Sequence, residues 1–212
     1  MMRLTPIVRN LVTINAAIFL IWFLAEQIGM PDQEFMIEYF MLFKSDYIIT
    51  FRQWPEYFHP VQILTHFFSH RSFFHILFNM LALASLGPVV EMVVGSKRFL
   101  RFYLFTGLVG GLMIAFLDPS DNPVLGASGA ISGVLAAFAY MNPRAGLSFF
   151  FFLPPIQAKY IAIGIAVLSF ILVLVEAQGG NTGSISHFGH LAGMIAAVIY
   201  FYAERFFPQL KR

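Results

Sequence analysis

Six stretches of this chain, near residues 11–28, 73–94, 99–117, 126–141, 158–176 and 186–203, stay apolar over lengths that water-soluble helices rarely sustain. About 20 apolar residues cross the hydrocarbon core of a bilayer as a helix, and lipid offers the backbone no hydrogen bonds, so such stretches have to be helical. The expected fold class is an all-α membrane protein. Of the 212 residues, 58% are hydrophobic and only 11% are charged, whereas roughly a quarter are charged in a soluble domain. Six crossings with short connections use up this length, so residues 1–212 read as a single membrane domain. The first stretch is long enough to remain as a span and no cleavable signal precedes it, so insertion is expected to retain it. There is no Cys, which excludes disulfides and thiol catalysis. A net charge of +2 gives no reason to expect a nucleic-acid partner; the expected surroundings are the lipid bilayer.

The fourth stretch is short and rich in Gly, Ala and Ser, which suits a helix packed among other helices at the centre of a bundle. Residues 30–62 mix Phe, Tyr, Trp and Met with Asp, Glu, Lys and Arg, a composition fitted to an interfacial loop at headgroup level. Phe149 to Phe152, followed by Pro154 and Pro155, mark a break before the fifth stretch, and Gln178 to Ser184 form a Gly-rich connection before the sixth. In a six-helix arrangement Arg3, Arg9, Lys97, Arg98, Arg101, Arg144, Lys159, Arg205, Lys211 and Arg212 share one side, while the other holds Lys44, Arg52 and Arg71. Basic residues collect on the cytoplasmic side, so both termini are expected there, in a multi-pass protein of the cell (inner) membrane. The helix starts near Phe73, Gly126 and Ser186 then lie towards the outer face, at one depth.

A polar side chain within a span is costly enough to imply a function, and five stand out: His75, Asn79, Ser128, His187 and His190. Ser128 sits in Gly126-Ala127-Ser128-Gly129-Ala130-Ile131-Ser132-Gly133, where glycines leave its hydroxyl unobstructed; the same spacing also suits plain small-residue helix packing. His190 lies in His187-Phe188-Gly189-His190-Leu191-Ala192-Gly193, with Gly193 on its own face of the helix. A neutral imidazole within reach of Ser128 can take its proton during attack on a carbonyl and return it to the leaving amine. His75 and Asn79, four apart, share a face, and both can donate hydrogen bonds to a developing oxyanion together with the Ser128 N–H. The rival reading makes His66, His70 and His75 a metal site, or His66, His70, His187 and His190 haem ligands. No acidic ligand sits in the second stretch before Glu91, HExxH is absent, and Asn79 and the Gly-rich segment around Ser128 stay unexplained. No metal or cofactor is expected.

These residues resemble the rhomboid intramembrane serine proteases in their compact, bacterial six-helix form, and nearly the whole chain takes part. His75-Ile76-Leu77-Phe78-Asn79 is similar to the family's HxxxN element, Gly126-Ala127-Ser128-Gly129 to its GxSG motif, and His190-Leu191-Ala192-Gly193 to its HxxG element. The resemblance implies a six-helix bundle with a membrane-embedded first loop. It further implies a Ser–His dyad of Ser128 (nucleophile) and His190 (base), with His75, Asn79 and the Ser128 amide binding the oxyanion. Glu91 would be a structural acid, Gln178 to Ser184 a cap above the site, and the fifth helix, with Phe170, Ile171 and Leu172, a lateral gate. The substrates would be transmembrane segments of other proteins, cleaved as an endopeptidase does. Two positions depart from the family pattern: Val61-Gln62 stands where a Trp-Arg pair is usual, and Ser132 where some relatives stack an aromatic ring on the catalytic histidine. Loop anchoring and the seating of His190 are expected to differ accordingly.

Overall fold

The structure is a computed structural model that describes residues 3–29, 39–43, 58–119, 123–148, 154–180, 182 and 185–206. Helix α1 (Pro6–Gln27) opens on a proline, at the position where a helix needs no N–H. Helix α2 (Phe73–Val94) is capped by Ser72, whose Oγ accepts the His75 N–H at 3.3 Å. Gly95 alone separates α2 from α3 (Ser96–Leu117). Helices α4 (Ser128–Met141), α5 (Ala158–Ala177) and α6 (His187–Phe206) complete the bundle. A two-stranded ribbon joins α4 to α5, β1 (Gly146–Leu147) pairing antiparallel with β2 (Ile156–Gln157). Helix α1 starts at Pro6, five residues ahead of the expected span, because Arg9 and Asn10 lower the hydropathy without interrupting backbone hydrogen bonding.

Helices α1, α2, α3 and α5 are long and apolar enough to cross a membrane. Helix α4, at 14 residues, spans about 21 Å at 1.5 Å per residue, less than the roughly 30 Å hydrocarbon core. It contacts α2, α3, α5 and α6, with Ala130, Val134 and Ala137 buried, so neighbouring helices enclose most of it, up to the exposed Tyr140 near its end. By contrast, only 6% of the apolar window of α5 is buried, which leaves this helix facing outward.

Polar contacts define the two ends of the bundle. At one, the Glu91 carboxylate accepts hydrogen bonds from Thr5 Oγ1 (2.5 Å), the N–H groups of Ile7 and Val8 (3.1 and 3.0 Å) and Ser96 Oγ (2.6 Å). An acid thus sits on the positive start of α1 and ties it to α2 and α3. At the same end the Arg98 guanidinium forms a two-pronged ion pair with the buried Glu204 of α6. The opposite end carries Ser72, Asp118, Gly126 and Ser186.

Of the expected interfacial loop, residues 30–38 and 44–57 lie outside the described residues, as does 149–153 of the break before α5. Much of the expected cap is likewise undescribed, at 181, 183 and 184. What is described of the loop is anchored. Leu42 and Val124 exchange two backbone hydrogen bonds of 2.7 and 2.8 Å, joining the loop to the segment before α4. A helical turn, Gln62–Thr65, runs into a 3₁₀ turn, His66–Phe68. Gln62, fully buried, accepts the Phe43 N–H through Oε1 at 3.4 Å, and the Thr65 hydroxyl donates to the Tyr39 carbonyl. An uncharged amide therefore takes part in fastening the loop where the family pattern has arginine.

Candidate active site

Ser128 is the first residue of α4. The helix's own bonding begins with Ile131 N–H to the Ala127 carbonyl at 2.9 Å, so the Ser128 amide is a donor without a partner inside the helix. The preceding turn is built on Gly126, whose N–H bonds the His66 carbonyl at 2.8 Å and whose φ is +122°. A Cβ there would meet Cε1 and Nε2 of His75 at 2.7 Å, so glycine is required twice over, by backbone conformation and by the imidazole against it. The consequence is that the His75 ring lies two residues ahead of Ser128. Asn79, one turn along α2, donates through Nδ2 to the His75 carbonyl at 2.8 Å and has a second amide hydrogen to give.

Helices α4 and α6 touch backbone to backbone at this level. A Cβ on Gly193 would fall 1.9 Å from the Gly129 carbonyl oxygen, and one on Gly129 would stand 3.1 Å from the Gly189 oxygen. Ser128 and His190 flank this contact from the two helices. His190 Nε2 is buried and has no hydrogen-bond partner among the described residues, so no bond joins it to the Ser128 hydroxyl here. The His190 ring meets the His187 ring edge to face, with centroids 6.2 Å apart, and Ser132 of α4 is buried.

A cavity reaches Ser128, lined also by His66, Phe67, Gly107, Gly110, Gly111, Ile114, Gly126 and Ser186. His75, Asn79 and His190 are not among the described walls of this cavity. Burial pushes the His66 imidazole down to about 4 and that of His70 down to about 3, which keeps both neutral. His66 Nδ1 is engaged with the Gln62 carbonyl at 2.8 Å. Both ring nitrogens of His70 lack partners among the described residues, and its ring packs edge to face on His75 at 5.1 Å. Among the described residues no three His, Asp or Glu side chains gather in a metal-holding arrangement.

By sequence alone Gln62 marks only a departure from the family pattern and Asp118 only a loop charge; the structure gives both a contact. Asp118, buried at the end of α3, reaches the start of α6, and Gln62 fastens the first loop. Both lie between apolar stretches, where hydropathy gives no signal of burial.

Comparison with known proteins gives a family model, described as Rhomboid domain, that matches residues 57–205. The chain is 30% identical over 206 residues to Rhomboid protein 1, mitochondrial, of Saccharomyces cerevisiae, covering 92% of this chain and 52% of that protein. It is 30% identical over 216 residues to RHOMBOID-like protein 12, mitochondrial, of Arabidopsis thaliana, covering 91% and 56%. It is also 37% identical over 137 residues to Rhomboid protease GluP of Bacillus subtilis, covering 63% and 24%. The chain thus spans about half or less of the length of these relatives.

Proposed function

The chain belongs to the rhomboid family, and from that premise we propose that it is an intramembrane serine endopeptidase acting on transmembrane segments of other proteins through Ser128 and His190. The observation that carries this reading is the meeting of α4 and α6 at Gly129 and Gly193, which sets a serine at a helix start beside a helix bearing a buried imidazole nitrogen with no partner among the described residues. A buried polar atom left unpaired costs about 1–3 kcal/mol, and a proton taken from Ser128 would give this nitrogen a partner. Ser128 Oγ attacks the scissile carbonyl carbon while His190 Nε2 takes its proton. The oxyanion of the tetrahedral intermediate is held by the Ser128 N–H, the second Asn79 amide hydrogen and the His75 ring. His190 then gives the proton to the leaving amine, and water, activated by the same nitrogen, hydrolyses the acyl-enzyme.

Six crossings by one domain, both termini in the cytoplasm of a cell (inner) membrane, and lateral entry of substrate past α5 belong to this proposal. Supporting them are the outward-facing apolar surface of α5 and the collection of Arg98, Lys97 and Arg101 at the end of the bundle away from Ser128. The test is covalent labelling of the purified chain with a serine-reactive fluorophosphonate. Wild type is expected to label, and Ser128→Ala and His190→Ala are expected to lose the label. Equal labelling of Ser128→Ala would remove Ser128 from its role, and an unlabelled wild type would favour a family member that binds transmembrane segments without cutting them.

A further inference from the structure

We infer that Asp118 is a positioning residue for His190, acting through Ser186 at the start of α6; the inference rests on the reading of His190 as the base. The acidic residue of α6, Glu204, lies fourteen residues beyond His190, about 21 Å along the helix, and is committed to Arg98. A base in a two-residue dyad therefore receives no orienting carboxylate from its own helix. The tertiary structure brings one from α3.

Asp118 directly follows the last residue of α3 and is only 2% exposed. Its Oδ2 takes the Ser186 hydroxyl at 3.5 Å. The same Ser186 oxygen accepts the N–H of Gly189 at 3.0 Å, while the Ser186 carbonyl accepts the N–H of His190 at 3.3 Å. Ser186 is thus the joint of the first turn of α6: its side chain holds Gly189, its backbone holds His190, and the Asp118 carboxylate stands at the edge of hydrogen-bond reach of that side chain. A buried carboxylate facing the positive start of a helix is also matched in charge. Gly189 leaves no slack around this joint, because a Cβ there would stand 3.0 Å from both Ser186 Oγ and Ile114 Cδ1. Loosening the joint would move the imidazole relative to Ser128, and misplacement of a catalytic group is felt in the rate of reaction; Asp118 acts from behind Ser186, which itself lines the cavity at Ser128.

The test uses the full chain in detergent micelles, with fluorophosphonate labelling of Ser128 followed against probe concentration. Asp118→Asn and Ser186→Ala are each expected to lower the maximal labelling rate about tenfold, and for Asp118→Asn the half-saturating probe concentration is expected to stay unchanged. Asp118→Glu and Ser186→Thr, which keep the charge and the hydroxyl, are expected to restore most of the rate. Should Asp118→Asn fail to fold, the contrast between Ser186→Ala and Ser186→Thr carries the test. Wild-type labelling by Asp118→Asn, or a loss that neither conservative variant restores, overturns the inference while leaving the dyad in place. An unlabelled wild type overturns the reading of Ser128 and His190, and this inference with it.

Discussion

Among the described residues, His190 keeps a buried ring nitrogen without a partner, and Asn79 keeps an amide hydrogen to spare although its side chain is already bonded to the His75 carbonyl. Groups left in that state are suited to a charge that exists only during reaction. In the proposed mechanism Asn79 donates to the developing oxyanion, so on Asn79→Ala kcat is expected to fall about 100- to 1,000-fold while KM changes little. Steady-state cleavage of a transmembrane peptide in micelles measures both constants. A rise in KM at constant kcat would mean that Asn79 binds substrate and leaves the oxyanion alone. His75 is placed by a different device. Its ring rests on Gly126, so any side chain at position 126 displaces it.

Between elements, the decisive contact is the approach of α4 and α6. With a Gly193 Cβ only 1.9 Å from the Gly129 carbonyl oxygen, Gly193→Ala cannot be absorbed by turning a side chain, since both partners are backbone. The helices have to separate, at a cost of about 1–3 kcal/mol typical of overpacking or more. A clear drop in the melting temperature of the purified protein, together with loss of fluorophosphonate labelling, is expected. Full labelling by Gly193→Ala would show that the dyad does not depend on this contact. By comparison, a Cβ on Gly164, in the outward-facing α5, would meet nothing within 4 Å, so Gly164→Ala serves as the neutral control.

For the whole molecule, the Glu91 cluster and the Arg98–Glu204 pair mark one end, and Ser72, Asp118 and Ser186 mark the other. A chain without Cys lets the orientation of these ends be read directly. In intact cells a membrane-impermeant maleimide is expected to label Arg71→Cys, at the exposed residue beside Ser72, and to label Lys97→Cys only after permeabilisation. The opposite pattern would invert the proposed topology and place Ser128 towards the cytoplasm.

The helical class, the membrane setting and the candidate dyad were legible in the sequence, because burial in lipid forces long apolar runs and makes each embedded polar residue conspicuous. Ser128 and His190 stand out in Gly126–Gly129 and His190–Gly193 for that reason. The arrangement around them was not legible. Asp118 and Ser186 are 68 residues apart, Gln62 bonds to Phe43 across 19, and the cavity at Ser128 has walls from α3 and the turn at His66. Hydropathy registers which residues avoid water and is blind to which of them meet. That choice is made by packing, where two glycines let α4 and α6 touch and where the ends of α3 and α6 share a buried carboxylate.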